Sequence, residues 1–368
     1  MGLSKAGYSL TLANELSPMA AETFAYNFFG EDLDYLSNKN TRPKSTFWLS
    51  SQYIDLKQRL RENPFNTSSQ LPFHSDIPTD TTKLDGRLIV GNIIELNELL
   101  RNNSQLAELL STDFNRGSLD LVSGGPPCQS FSLAGLRQKD CDKNSLPWEF
   151  LTFADAVRPK VVMLENVSGI LRPFKDGNHK YHAWFEIAQA FAMKGYLPLC
   201  LHVNAKFAGV PQNRPRFIMI GLREDIFKKM EPNLNDSESE LFAPAARLLD
   251  TIKSSQNPDF EDFNYFDVQK DKHWKLFKNS FLQPLVTSES TVSVKDAIDD
   301  LKFNQPGAPS SYVEALNDLF RTNLSYLGDR SNHEKRANSS RVSRRFRIYQ
   351  ILSQVDLTVA KEVRQVLK

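Results

Sequence analysis

Cys128 lies in Gly124-Gly125-Pro126-Pro127-Cys128-Gln129-Ser130-Phe131-Ser132, where glycines and prolines end a short apolar run and place the thiol on a loop. A cysteine acts as a nucleophile through its thiolate, and near neutral pH the thiolate needs positive potential close by. Backbone amides of the following turn could provide that potential, as could Arg214 and Arg216 further along the chain. The plainer reading of a lone cysteine is a small packed hydrophobe. Context favours the loop nucleophile, because Glu15, Asn92 and Glu165 also follow apolar runs, so four polar or reactive residues stand at four strand ends.

Those strand ends belong to a repeating pattern. Ser9 to Glu15 reads as a strand, and a helical pattern opens at Pro18. Residues 32–86 are polar, rich in Ser, Thr, Asn and Pro, and read as an insertion. Leu88-Ile89-Val90 begins a second strand, followed by a helix containing Leu96, Leu99, Leu100 and Leu106. Leu119 to Val122, Lys160 to Leu164, Leu197 to Val203 and Phe217 to Ile220 read as further strands, with a helix over Tyr181 to Met193. Alternating strands and helices predict an α/β fold with a doubly wound, mostly parallel sheet, whose ligands bind beyond the carboxyl ends of the strands. After Arg223 the rhythm weakens into an acidic polar stretch, an aromatic cluster from Phe263 to Phe277 and a short amphipathic helix over Val292 to Leu301. The expected division is a catalytic domain over 1–224 and a smaller, irregular region over 225–368.

Bulk composition narrows the function classes. A chain of 368 residues with 40% hydrophobic content can bury a large core, and a formal net charge of +1 gives no overall polyanion signature. Local basic surface remains: from Arg330 to Lys368 there are roughly ten Lys/Arg against about three Asp/Glu, densest at Arg341, Arg344, Arg345 and Arg347. Such a run reads either as a nucleic-acid contact or as a solvated helix face. Cys128, Cys141 and Cys200 are odd in number and lack zinc or disulfide spacing, which fits a reducing cytoplasm and no metal. No apolar run is long enough to cross a bilayer, so a membrane function is not expected.

Three motifs then carry a family resemblance. Gly125-Pro126-Pro127-Cys128-Gln129-Ser130-Phe131-Ser132 resembles the Pro-Cys loop of cytosine-5 DNA methyltransferases of the bacterial restriction-modification type. Glu165-Asn166-Val167 resembles their Glu-Asn-Val motif, and Gln212-Asn213-Arg214-Pro215-Arg216 their Gln-x-Arg-x-Arg motif, in the same order. The resemblance implies a Rossmann-like methyltransferase fold, S-adenosyl-L-methionine as cofactor and double-stranded DNA as substrate. It implies that Cys128 adds to carbon 6 of a flipped cytosine while Glu165 stabilises the ring and reads its edge. By the same analogy Arg216 faces the cytosine carbonyl oxygen, and Arg214 orients Glu165 or the loop. Glu15 would meet the cofactor ribose and Leu16 the adenine. Asn92 stands where the family usually has an aspartate, in Gly91-Asn92-Ile93, so Asn92 and Ile93 fall on the cofactor side with Pro127 and Leu146. Gln129 and Ser132 fall where DNA contacts are expected, as do Arg341, Arg344 and Arg345; turn chemistry is the alternative for the first two.

The resemblance also has gaps. Family members begin with a strand and a glycine-rich Phe-x-Gly-x-Gly loop, whereas Met1 to Tyr8 resembles the helix that follows it. Nothing after Arg223 matches the late motifs, although Asn332-His333 and the Arg-rich segment resemble the approach to target recognition. The expectation is a cytoplasmic, nucleoid-associated enzyme that looks truncated at both ends, with a cognate restriction endonuclease as a candidate partner; a truncated reading frame, a split enzyme completed by a second polypeptide and an unusually lean variant all fit these gaps. A noncatalytic remnant and a tRNA cytosine-5 methyltransferase are the alternatives.

Overall fold

The computed structural model describes residues 2–65, 73–127, 145–176, 179–287, 292–302, 307–320 and 337–366. The chain divides into two units, 1–313 and 314–368. The first unit opens with α1 (Gly2–Lys5), β1 (Leu12–Glu15) and α2 (Pro18–Phe29), and α2 ends at Gly30 in the left-handed region that glycine adopts without strain. Next come α3 (Leu33–Asn38), β2 (Thr46–Trp48), α4 (Leu56–Arg59) and β3 (Arg87–Val90). β1 and β2 flank β3, all parallel, with Glu15 and Trp48 both in register with Val90. Side chains alternate across β3: Ile89 enters the main core, while Leu88 and Val90 enter a smaller one with Ala21, Ala25, Leu33, Trp48 and Leu60.

Residues 32–86 are therefore not a peripheral insertion throughout. Trp48 is among the largest fully buried side chains. The buried Arg59 lies over its ring, pairs with Asp76 and donates from Nε to Tyr53 O at 2.7 Å. A polar sequence hides this strand because a buried ion pair, rather than an apolar run, supports its end.

A helical layer follows: α5 (Ile93–Asn102), α6 (Ser104–Ser111) and, beyond β4 (Leu121–Gly124), α7 (Leu146–Val157). Leu96, Leu100, Leu106, Leu110, Phe150, Leu151, Ala154 and Val157 are its buried contributions to the main core. After β5 (Val161–Val167) come a hairpin of β6 (Phe174–Asp176) and β7 (His179–Tyr181), α8 (Ala183–Met193), β8 (Tyr196–Asn204) and β9 (Pro215–Arg223). The chain continues through α9 (Glu224–Met230), α10 (Asp236–Lys253), β10 (Phe266–Asp267), α11 (Asp271–Lys278) and α12 (Val294–Ile298). The second sheet has the order β10-β8-β9-β5-β4; β9 runs antiparallel to both neighbours, while β4 with β5 and β10 with β8 are parallel.

The fold is thus α/β and mostly parallel, but among the described residues its strands form a three-stranded sheet and a five-stranded sheet beside the β6–β7 hairpin, not one continuous sheet. β1 ends the first and β4 ends the second, each paired on one side only among the described residues. Nor does packing change at residue 224. α10 lies on β8 and α8, and Leu241, Phe242, Phe266 and Phe277 belong to the main core. The second unit contains α14 (Ser340–Leu352) and α15 (Leu357–Val366); α13 (Ser311–Phe320) precedes them in the chain. Among the described residues no helix is long and apolar enough to cross a membrane.

Candidate active site

β5 alternates buried Val162, Leu164 and Asn166 with partly exposed Val161, Met163, Glu165 and Val167, so consecutive residues of Glu165-Asn166-Val167 face opposite sides of the sheet. On β9, Arg216 is in register with Val167, and Ile218 with Glu165. Glu165 and Arg216 are therefore diagonal neighbours on one face, within reach for long side chains. Arg216 Nε lies 2.5 Å from Glu165 Oε1, yet this buried Nε makes no aligned hydrogen bond. We read the contact as an ion pair whose geometry leaves the carboxylate open to another donor. The Glu165 side chain keeps 45% of its surface exposed.

The opposite face anchors the loop that leads to Cys128. Asn166, 4% exposed, donates from Nδ2 to Pro126 O at 3.0 Å, and Val167 N donates to its Oδ1 at 2.9 Å. The Pro126-Pro127 turn is thereby tied to β5 one residue from Glu165. Beneath it, a Cβ on Gly124 would stand 2.6 Å from the Phe150 ring, and one on Gly125 would stand 3.2 Å from Glu165 Oε2. These glycines let the loop pass against the core and under the carboxylate. Cys128, Gln129, Ser132 and Cys141 lie outside the described residues. The described cysteine, Cys200, is buried, and burial pushes its thiol far above the ordinary range.

Arg214 and Arg216 enter β9 from a turn closed by Asn204, the last residue of β8 and 4% exposed. Asn204 Oδ1 accepts from Arg214 N at 3.1 Å and from Lys206 N at 3.3 Å, while Nδ2 donates to Asn213 Oδ1 at 2.8 Å. Arg216 also donates from Nη1 to Pro215 O. Arg214 is exposed; among the described residues its guanidinium makes no hydrogen bond or ion pair, so its tie to the turn runs through its backbone. Sequence reasoning passed over the clamping roles of Asn166 and Asn204. The available signal was an amide at the end of an apolar strand, where a buried polar group must find partners.

A second group gathers at the carboxyl ends of β1 and β3. Asn14 Nδ2 donates to Ile89 O and Gly91 O, and Gly91 N donates to Glu15 O. Glu15 Oε1 accepts from Ser17 N at 2.8 Å; its other carboxylate oxygen has no partner among the described residues. Asn92 caps α5, accepting from Ile94 N at 3.0 Å, and its amide NH2 is unpartnered among the described residues. Leu16 is half-buried, Ile93 packs against the main core, Leu146 opens α7, and Pro127 is exposed just before the undescribed stretch. A free carboxylate oxygen and a free amide at adjacent strand ends fit a ligand carrying ribose hydroxyls and a nucleobase.

In the second unit, Arg341, Arg344 and Arg345 are exposed on α14, and their three- and four-residue spacing puts them on one face.

Three curated relatives share parts of this chain. The orphan methyltransferase M.SPRI of Bacillus phage SPR is 34% identical over 148 residues, covering 40% of this chain and 31% of the relative. The type II methyltransferase M.DdeI of Desulfomicrobium norvegicum is 41% identical over 107 residues, covering 29% and 25%. The type II methyltransferase M.NgoMIV of Neisseria gonorrhoeae is 39% identical over 142 residues, covering 38% and 42%. The matched stretches thus span less than half of these relatives' own length. The model of the C-5 cytosine-specific DNA methylase family matches residues 96–356, well over half of the chain, including the β4 loop, Glu165 and the arginine-bearing turn. The chain belongs to the C-5 cytosine-specific DNA methylase family.

Proposed function

We propose that this chain transfers a methyl group from S-adenosyl-L-methionine to carbon 5 of a cytosine flipped out of duplex DNA, through a covalent adduct with Cys128. The observation that carries the reading is the Glu165–Arg216 pair set over Gly125, beside a Pro126-Pro127 turn that Asn166 ties to the same strand. Cytosine carbon 5 is a poor nucleophile. Addition of the Cys128 thiolate forms an S–C6 bond and drives ring electrons toward N3, where Glu165 shares a proton and stabilises the added density. Arg216 offers guanidinium N–H groups to the carbonyl oxygen on the same ring edge. When bound, S-adenosyl-L-methionine would supply an electrophilic methyl to the enamine-like carbon 5, its S–CH3 bond breaking to leave S-adenosylhomocysteine; Glu15 and Asn92 would hold its ribose and adenine, with Leu16, Ile93, Pro127 and Leu146 around them. A water then removes the carbon 5 proton, and the C6–S bond breaks to return the thiolate. Carbon 6 is hidden in a stacked duplex, so the base must leave the helix at a cost of about a few kcal/mol.

Arg341, Arg344 and Arg345 contribute phosphate contacts, which position DNA without reading its sequence. Gln129 and Ser132 contact the DNA near the flipped base. Among the described residues β1 and β4 are end strands, whose edges would accept an extended segment of a second polypeptide, the partner this reading adds. The type II names of two relatives support a cognate restriction endonuclease, with the chain working on cytoplasmic, nucleoid-associated DNA.

The test is transfer of tritiated methyl from S-adenosyl-L-methionine to duplex DNA, with tRNA as the competing substrate. Label in DNA, lost in Cys128→Ser together with the covalent adduct on 5-fluorocytosine DNA, is expected. Adduct surviving in Cys128→Ser would overturn the assignment. Calorimetry showing no cofactor binding would mark a noncatalytic remnant.

A further inference from the structure

Ten residues separate β8 from β9, and the buried side chain of Asn204 bonds to both ends of that connection. At its start, Asn204 Oδ1 accepts from Lys206 N and begins the short helical turn Ala205–Ala208, which ends at Gly209 in the left-handed region. At its finish, the same oxygen accepts from Arg214 N, and the Asn204 amide donates to Asn213 Oδ1. Ala205 N to Arg214 O, 3.2 Å, closes the turn between the backbones. Two residues later Arg216 meets Glu165. One oxygen with two acceptor sites and one amide with donors satisfy three partners here, a combination that few side chains can offer. Resting on the methyltransferase reading above, we propose that Asn204 is a positioning residue: it fixes the register at which Arg214-Pro215-Arg216 enters β9 and so aims Arg216 at Glu165 and the target base.

The mechanism is geometric. Arg216 is the second residue of its strand, so upstream of it only the Pro215–Asn204 rung with β8 and this turn restrain it. Register on the β5 side is held by pairing from Val161–Leu222 through Val167–Arg216, whose last rung is the Arg216 rung itself. Terminal rungs fray first, and an amide buried beside one stops the end from opening. A misplacement of about 1 Å in a group aimed at reacting atoms can cost on the order of 100-fold in rate.

The test uses the full chain. In Asn204→Ala, kcat for methyl transfer should fall about 100-fold while KM for DNA changes less than about threefold, because placement in the transition state is lost rather than DNA affinity. Asn204→Asp keeps both acceptor bonds, and the exposed Asn213 amide can rotate to donate instead; kcat should recover to within about tenfold of wild type. Asn204→Asp combined with Asn213→Asp sets two acceptors face to face and should fall back to the alanine level. Cys200→Ser, buried on the same strand but away from the turn, controls for stability and should keep wild-type kcat well below its melting temperature. A second readout does not depend on turnover: the Arg216 Nε–H resonance in arginine-labelled protein, assigned by its loss in Arg216→Lys, should shift and exchange faster in Asn204→Ala. If that resonance is unchanged, or the aspartate variant is as poor as alanine while Cys200→Ser is equally slow, Asn204 is merely structural and the proposal fails. If the resonance moves as expected but wild-type protein methylates nothing, the positioning stands and the methyltransferase reading falls.

Discussion

Two groups of polar residues stand at strand ends in the first unit, and they are satisfied in different ways. At the ends of β4, β5 and β9, bonds connect residues far apart in sequence: Asn166 to Pro126, Arg216 to Glu165, and Asn204 across its ten-residue turn. At the ends of β1 and β3, the Glu15 and Asn92 side chains each accept from a backbone N–H two residues ahead, and of the three side chains that of Asn14 reaches across to the neighbouring strand. The first group is rigid through tertiary structure and suits a reaction that needs fixed directions. The second is a pair of local turns with spare hydrogen-bonding capacity, suited to binding a ligand that brings its own partners.

The largest expected effect breaks the first group at its charged pair. Glu165→Gln keeps the shape of the side chain but cannot share a proton with the ring, so methyl transfer should fall by about 100- to 10,000-fold. Thermal unfolding should hardly move, because the Glu165 side chain is close to half exposed and its ion pair contributes little to stability. Wild-type rates in this variant would remove Glu165 from the chemistry.

Next in size are the close approaches under each group. A Cβ at Gly124 meets the Phe150 ring at 2.6 Å, and one at Gly91 meets Leu49 Cβ at 2.6 Å. Alanine at either position overpacks the core and should cost about 1–3 kcal/mol in urea unfolding. Gly91→Ala should lie at the upper end, because a ring edge can tilt whereas a Cβ moves only with its backbone. Equal, negligible losses would show that neither strand end is as tightly packed as these distances require.

The strand ends were legible in the sequence because apolar runs stop sharply at Glu15, Asn92, Gly124 and Glu165. Glu165 and Asn166 were placed just after their strand, yet β5 continues to Val167, since pairing with β9 carries polar residues inside it. β2 was not legible: three residues within a polar stretch became a sheet strand through Trp48 and the Arg59–Asp76 pair, contacts that periodicity cannot reveal. The boundary at 224 followed a change of composition, whereas α10 and β10 pack by burying aromatic and aliphatic side chains spaced along an otherwise polar segment. For Asn166 and Asn204 the amide at the end of an apolar strand signals that partners must exist, but not which ones, because each partner is a backbone atom brought close only by folding.

A pair of amide deletions sharpens the comparison further. Asn166→Ala frees the Pro126 turn and should slow adduct formation on 5-fluorocytosine DNA without changing cofactor affinity. Asn92→Ala removes a helix cap and should cost about 1 kcal/mol of stability. In calorimetry it should also weaken S-adenosyl-L-methionine, leaving the rate of adduct formation intact. Exchanged phenotypes would reverse the roles given to the two strand-end groups.

The smallest expected effect falls on Glu15. Glu15→Gln still offers an oxygen to Ser17 N, so the turn after β1 should survive and the melting temperature should stay put. What changes is the second oxygen: a neutral amide accepts from a ribose hydroxyl less strongly than a carboxylate, which should raise the cofactor dissociation constant about three- to tenfold. Calorimetry on Glu15→Gln beside Glu15→Ala separates the two functions of the side chain, because alanine loses both the turn bond and the ligand bond. If both variants bind cofactor like wild type, Glu15 serves its turn alone. A melting temperature that drops with glutamine would instead mean that the carboxylate charge holds the end of β1, and the spare capacity assigned to this group would vanish.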